Sequence, residues 1–417
     1  MTSAKLLGAL SPLAPVLASL ALASCGSAAS GDEQAEAGTG EVVSAPETAP
    51  FTVETVASFN EPWAMDIDTS TRIAIITEKA GTVRLLAPDG TKGSVSGVPK
   101  VDYGGQGGLG DVVFAPQPEW KPASTGSLDG RAVYLSWAEA GDGDTRGAAL
   151  GRATLACSAP TSCALDDLKV IWRQTPKVTG RGHYSHRIAF SPDGKYLFVS
   201  SGERQKQQPA QDTSNTLGTI VRLLPDGTPA PGNPFADKGA PSDQIWSYGH
   251  RNVLGLAFDA DGHLWDLEHG PAGGDEINLV TPGANYGWPL VSDGDHYDGK
   301  PIPRHSTRPD LAAPAISWNP VIAPGDFVIY RGEKYAGWQG KALIASFSVP
   351  GIVAVSLDAN GSPASGNPTA TAREEARYPL DNRIREIEQD QDGTIWLLED
   401  GPAPESGHLL KLVPASR

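Results

Sequence analysis

Six recurrences of one strand–turn–strand pattern, a turn-rich composition and the lack of helical periodicity predict an all-β protein, a six-bladed β-propeller, from this chain of 417 residues. Gly (48) and Pro (35) together favour many turns and short strands over long helices. The recurring unit is an apolar run, a turn rich in Asp and Gly, and a second strand that often carries an aromatic residue. Asp-Gly between β-rich runs is a hairpin signal.

The copies follow in order. The first is PWAMDIDTSTRIAIITEKAGTVRLLAPDG from residue 62. The second is GLGDVVFAP from 108, joined by RAVYLSWAEA from 131 after a long insert. RIAFSPDGKYLFVSSGE from 187 and GLAFDADGHLWDLEHG from 255 are the third and fourth. GDFVIYRG with GKALIASFSVPGIVAVSLD, between 325 and 358, is a looser fifth. RIREIEQDQDGTIWLLED from 383 is the sixth, and GHLLKLV after it is placed to pair with N-terminal strand material and close the ring. About 60 residues per unit leaves room for four strands and large loops. An open two-sheet sandwich is the alternative that the repetition disfavours. In a propeller, loops far apart in sequence meet at the mouth of a central channel.

Ahead of this domain the chain reads as processing signal and tether. Residues 1–24 carry Lys5 and an apolar run from Leu6 to Leu22, the pattern of a secretory signal. LASC ends on Cys25, followed by Gly26 and Ser27, and resembles the lipobox of bacterial lipoproteins. An ordinary signal with a chance cysteine is the plainer reading. Residues 25–50 are small, polar and acidic, a flexible linker. The expected organisation is a lipoprotein signal peptide (1–24), a linker (25–50) and a propeller (51–417). The expected location is the periplasm or cell envelope, with a lipid on Cys25 as the one membrane attachment. Gly26 after the cysteine points to the outer membrane.

The formal charge of −16 excludes a nucleic-acid partner, because phosphate binding wants a basic surface. In an exported protein Cys157 and Cys163 of CSAPTSC read as a local disulfide. A metal pair is the rival, but no further cysteine remains to complete such a site.

Chemistry-bearing residues cluster before strands. His183, His186 and Arg187 precede the third repeat, and could be a metal site, a base for a nucleophile or a satisfied loop. No HExxH supports zinc, and no GxSxG elbow or P-loop is present. His250, Arg251 and Asn252 precede the fourth repeat; Arg251 offers a donor fork for anionic or quinone oxygens. The loop Gly270-Pro271-Ala272-Gly273-Gly274-Asp275-Glu276 has the carbonyls and carboxylates that Ca²⁺ takes, although Asp275 alone reads as a turn residue. Arg383 and Arg385 share one face of a strand. They meet either an anion or the neighbouring Glu386 and Glu388.

GQGGLGDVVFAP, GHYSHRIAFSPDGKYLFVSSGER, SYGHRNVLGLAF, EHGPAGGDEINLVTPGANYGWP and NRIREI together resemble the soluble sugar dehydrogenases that use pyrroloquinoline quinone (PQQ), most closely their aldose sugar dehydrogenase branch. The similarity runs from about Pro62 to Leu412. It implies a six-bladed propeller with the quinone and a calcium ion at the top of the channel. It implies oxidation of an aldose at C1 to the lactone, with electrons passed to an external acceptor, a quinone or a cytochrome. By this resemblance His183 is the catalytic base and Gln106 lines the sugar site. Arg251 and Asn252 contact the cofactor, and Arg251 also stabilises charge in the reaction. Gly270 and Pro271 hold the cofactor's calcium through carbonyls, and Glu276 and Tyr286 belong to a second calcium site. Arg383 and Arg385 reach the quinone carboxylates, and Gln208, or its neighbour Gln207, contacts the cofactor.

The chain also departs from the family. The cofactor-binding lysine of a Ser-Leu-Lys segment is missing from Ser346-Phe347-Ser348, and Lys341 lies too far back to replace it. The helper acid expected just before the histidine is Gly182. Broad aldose use is expected, because part of the insertion that closes the sugar site in glucose-specific members is lacking. Two other readings are a cell-envelope propeller that binds a glycan or protein without catalysis, and a calcium-dependent lactonase.

Overall fold

The computed structural model describes residues 49–117, 120–122, 124, 126–361 and 369–415. The chain divides into two units, 1–34 and 35–417, and every described residue lies in the second. The expected signal peptide, Cys25 and nearly all of the expected linker lie outside the described residues. No helix among the described residues is long and apolar enough to cross a membrane.

Among the described residues, twenty-four strands form six four-stranded antiparallel blades. Strand β1 (Phe51–Phe59) comes first but belongs to the last blade. Blade one is β2 (Pro62–Ile67), β3 (Ala74–Glu78), β4 (Thr82–Leu86) and β5 (Lys92–Ser96). Blade two is β6 (Leu109–Phe114), β7 (Ala132–Ala140), β8 (Arg146–Ala159) and β9 (Ser162–Arg173). Blade three is β10 (Ser185–Phe190), β11 (Leu197–Ser201), β12 (Thr219–Leu223) and β13 (Ile245–Tyr248). Blade four is β14 (Val253–Phe258), β15 (Leu264–Glu268), β16 (Asp275–Val280) and β17 (Ile316–Trp318). Blade five is β18 (Pro324–Ile329), β19 (Lys341–Ser346), β20 (Gly351–Asn360) and β21 (Thr369–Pro379). Blade six is β22 (Ile384–Gln389), β23 (Ile395–Glu399) and β24 (Gly407–Pro414), completed by β1.

The ring closes where Val53 faces Leu412 and Phe59 faces Gly407. One contact departs from simple repetition. The outer strands β5 and β9 pair in parallel through Ser94–Ser162, Val95–Cys163 and Ser96–Ala164, which fuses the first two blades into one eight-stranded sheet. Cys157 and Cys163 form a disulfide across the β8–β9 hairpin at this seam.

Alternation along each strand puts apolar residues on both faces, so every blade must pack on two neighbours. Hydrophobic clusters fill the six blade-to-blade seams, as where Ile188 and Val199 of blade three meet Tyr134 and Leu150 of blade two. The closing seam joins Phe59 and Leu409 to Met65 and Ile76. Burying such a side chain stabilises by roughly 1.5–3 kcal/mol.

Each innermost strand carries a register shift against its neighbour near the chain entry, for example between Ser185 and Ile188 and between Val253 and Gly255. Bulges of this kind re-aim side chains. Six of them turn the strand entries toward the channel mouth, where the polar motifs lie. Below the mouth the inner strands line an open cavity of about 290 Å³. Arg187 occupies it, 2.7 Å from Glu386 and 3.4 Å from Asp111, with its guanidinium 4.3 Å from the Trp63 ring centre. His186 is bonded to Ser136 Oγ (2.9 Å) and stacked on Trp63. Arg187 and His186 are therefore held inside the ring, and His183 alone of this trio stands at the mouth.

Candidate active site

His183 precedes β10 in a left-handed backbone conformation (φ 49°). Its carbonyl lies against Gly202, where an added Cβ would come within 2.0 Å of it. A glycine at 202 thus lets the end of β11 approach the histidine closely. The next residue, Glu203, is fully buried and sets its carboxylate on His183 Nδ1. A carboxylate only accepts, so Nδ1 carries the proton and Nε2 is the basic nitrogen. Glu203 also accepts the Gln207 amide (2.5 Å), and its own amide donates to the Arg251 carbonyl (3.0 Å).

Burial and the Arg251 guanidinium push the His183 imidazole down to about 4, against the pull of Glu203. Burial alone would raise Glu203, but the His183 contact and the Gln207 amide outweigh it and hold the carboxyl below its ordinary range. At neutral pH the pair is a neutral imidazole on an ionised carboxylate. Position 182, just before the histidine, is glycine as expected, and the carboxylate that meets His183 comes instead from Glu203, just after β11. A side chain at 182 would displace the Gln205 side-chain amide, its Cβ 2.5 Å from Gln205 Cδ.

Gln106 accepts the His183 amide at 2.6 Å and is exposed, which leaves its NH₂ free to face a ligand. Gln208 is exposed and opens a short 3₁₀ turn; Gln207, its neighbour, is the residue whose amide reaches Glu203.

Arg251 and Asn252 stand at the entry to β14, both buried. Their amides donate to Glu268 Oε2 at 2.7 and 3.3 Å. Glu268 Oε1 accepts His250 Nδ1 at 3.1 Å. The Arg251 guanidinium donates to His269 O and Tyr297 OH, both at 3.1 Å, and lies 5.3 Å from the Trp288 ring centre. Arg251 Nε and Trp288 Nε1 are buried and find no hydrogen-bond partner among the described residues.

Gly270, Pro271, Glu276 and Tyr286 line one small cavity of about 10 Å³ together with Glu268 and Arg251. That is room for about one water-sized species. The residues expected to hold a first and a second calcium ion thus share the lining of one cavity. The Tyr286 phenol is spent on Leu279 O (2.6 Å) and Thr281 N (2.9 Å), with its ring stacked on His250. Only its backbone remains as a ligand. Burial, then Glu268, Asp293 and Asp266, raise Glu276 well above the carboxylate range. Burial pushes Asp266 up to about 8. Asp275 accepts Gly270 N (2.9 Å) and Ala323 N (2.7 Å), so it holds the loop in shape.

Arg383 and Arg385 stand on either side of the entry to β22. Their guanidiniums lie 4.6 and 4.3 Å from the Phe347 ring centre. Both pair with Asp400, at 3.3 and 2.7 Å, rather than with Glu386 or Glu388. Glu386 instead meets Arg187. Phe347 and exposed Ser348 follow β19, and no lysine stands at these positions.

The mouth thus gathers Gln106, His183, Arg251, Asn252, Arg383 and Arg385 from loops of different blades. Glu203, Glu268 and Asp400 were not singled out from sequence. The available signal was positional: each is at or just after the end of a second strand, in SSGER, LWDLEHG and IWLLED.

Residues 59–411 match the glucose/sorbosone dehydrogenase family. An aldose sugar dehydrogenase of Escherichia coli is 34% identical over 364 residues, 85% of this chain and 90% of the relative. The solved apo form of the soluble aldose sugar dehydrogenase from Escherichia coli matches with a TM-score of 0.76 at 32% identity, over 88% of this chain and 100% of that one. The PQQ-bound aldose sugar dehydrogenase of Streptomyces coelicolor matches with a TM-score of 0.66 at 26% identity, over 88% of this chain and 99% of that one.

Proposed function

The chain belongs to the glucose/sorbosone dehydrogenase family, and we propose that His183 is the base with which it oxidises aldose sugars at C1, using PQQ and an external electron acceptor. The observation that carries this reading is the His183–Glu203 pair beside Arg251. A neutral imidazole with Nδ1 tied to a carboxylate can take the hydroxyl proton at Nε2. Glu203 then stabilises the imidazolium. No side chain accepts a hydride, and PQQ supplies that two-electron acceptor when bound.

The residues fit such a group. Two buried donors, Arg251 Nε and Trp288 Nε1, await acceptors, and Arg383 and Arg385 add positive charge beside a flat aromatic ring. Arg251 and Asn252 would hold the quinone, Arg383 and Arg385 its carboxylates, and Gln207 or Gln208 an edge. Gln106 would position the sugar. Gly270, Pro271, Glu276 and the Tyr286 carbonyl would take one Ca²⁺, whose charge answers the repulsion among buried Glu276, Glu268 and Asp266.

The amino end completes the proposal. Cleavage before Cys25 and lipidation there would hold the enzyme on the outer membrane, within reach of a quinone or cytochrome.

The test is spectroscopic titration of the calcium-loaded protein with PQQ, then dye reduction with a panel of aldoses. Binding and turnover support the reading. A folded protein that ignores micromolar quinone would reject it and favour a propeller that binds glycan or protein.

A further inference from the structure

Tyr297 is the most exposed large hydrophobic side chain among the described residues, 65% accessible. A loose surface tyrosine would need no account, but this one is fixed at both ends. Its backbone is the second residue of a tight turn closed by Gly299 N to His296 O at 2.8 Å. That turn is stapled to the Gly270–Pro271 loop by paired bonds between Ala272 and Asp295, at 2.9 and 3.0 Å, and Arg304 clamps Asp295 at 2.8 Å. Its hydroxyl accepts from Arg251 Nη2 at 3.1 Å. The ring is therefore presented to solvent at the rim of the mouth, held by the arginine that bonds to Glu203 through its carbonyl and lowers the basicity of His183.

An aldose ring has hydroxyls on its edge and an apolar C–H face. A polar mouth lined by Gln106, His183 and Arg251 can meet the edge but not the face. An exposed aromatic plate with its one polar atom turned inward answers the face, since such rings combine a large contact area with few rotatable bonds. We propose that Tyr297 is a sugar-binding residue, a plate against which the aldose ring packs while its C1 hydroxyl meets His183. The inference rests on the assignment of His183 as the base.

The experiment compares wild type, Y297F and Y297A, each loaded with PQQ and Ca²⁺, in dye reduction with an aldohexose and an aldopentose. Quinone affinity is measured separately by titration. Y297A should raise KM about tenfold, with the loss in KM rather than kcat, from the forfeited ring contact. Y297F keeps the plate and should stay near the wild-type KM. All three should bind the quinone alike. An unchanged KM in Y297A, with the wild type active, overturns this inference alone. So does weakened quinone binding in both variants, because the phenol would then act only by steadying Arg251. A wild type that neither binds quinone nor turns over removes the His183 reading and this one with it.

Discussion

The Glu203 carboxylate rests on His183 Nδ1 while its backbone amide is bonded to the Arg251 carbonyl, so one residue ties the His183 imidazole to the Arg251 main chain. H183A should keep the quinone and lose about 10²- to 10⁴-fold in kcat, the usual cost of a missing general base. E203Q should cost about 10- to 100-fold, as expected for a group that orients a reacting ligand. The pH profile adds a sign. Burial, with the Arg251 guanidinium, pushes the His183 imidazole down to about 4, so it stays neutral well below ordinary histidine pH. kcat/KM should hold down to about pH 5 and fall only below that. An acid limb near pH 6.5 would contradict it.

Arg251, Arg383 and Arg385 should separate by role. R251A should weaken both quinone binding and kcat. R383A and R385A should weaken binding, each by roughly 10- to 100-fold, the worth of a charge-assisted hydrogen bond. Ser348 is exposed and stands where the family resemblance leads to the expectation of a cofactor-binding lysine. S348K should therefore tighten the quinone dissociation constant measured by titration. Equal constants for S348K and wild type would mean that this edge of the mouth does not meet the cofactor.

Calcium should stabilise the folded chain, and more strongly as pH rises. Glu276 is held protonated far above the normal carboxylate range without an ion, so the ion must displace a proton. At about 100 times its dissociation constant a ligand specific to the native state adds about 2.7 kcal/mol. Thermal melts with Ca²⁺ and with chelator, at two pH values, measure this. E276Q should abolish most of the difference. A chelator-insensitive melting temperature in the wild type would leave the cavity without an ion.

The Cys157–Cys163 disulfide closes the β8–β9 hairpin at the end of β8 away from Arg146 and the mouth. C157S with C163S should cost about 2 kcal/mol, the loop-closure value for so short a span. Dye reduction should persist, because the disulfide lies at the opposite end of β8 from Arg146. Loss of turnover in a folded double variant would show coupling through the fused first two blades.

For the amino end, detergent partitioning after expression in a bacterial host should place the wild type in the detergent phase and C25A in the aqueous phase. Equal release of both would remove the anchor.

The ring was legible because several blades announce themselves with a hairpin turn such as Ser191-Pro192-Asp193-Gly194. The β5–β9 pairing was not, since parallel outer-edge contacts leave no periodic trace. His183, Arg251 and Asn252 were visible as polar residues crowded before apolar strands. Glu203 was missed because its partnership spans two strands. A residue can look for its acid in the next position, but the fold supplies it from the neighbouring strand. Arg383 and Arg385 were ambiguous until Asp400, beyond the following hairpin, came alongside.

Ala415 donates its amide to the Pro50 carbonyl at 2.9 Å, beside the β1–β24 pair that closes the ring. The two ends of the described domain therefore touch, and no blade is the first in any structural sense. A circular permutant that joins 415 to 50 by a short linker and opens at an exposed loop tip should fold to the same ring. Opening it at the exposed turn Asp89–Thr91, between β4 and β5, would leave the mouth intact. It would also turn the covalently open sixth blade into one continuous hairpin series, and move the discontinuity into the first.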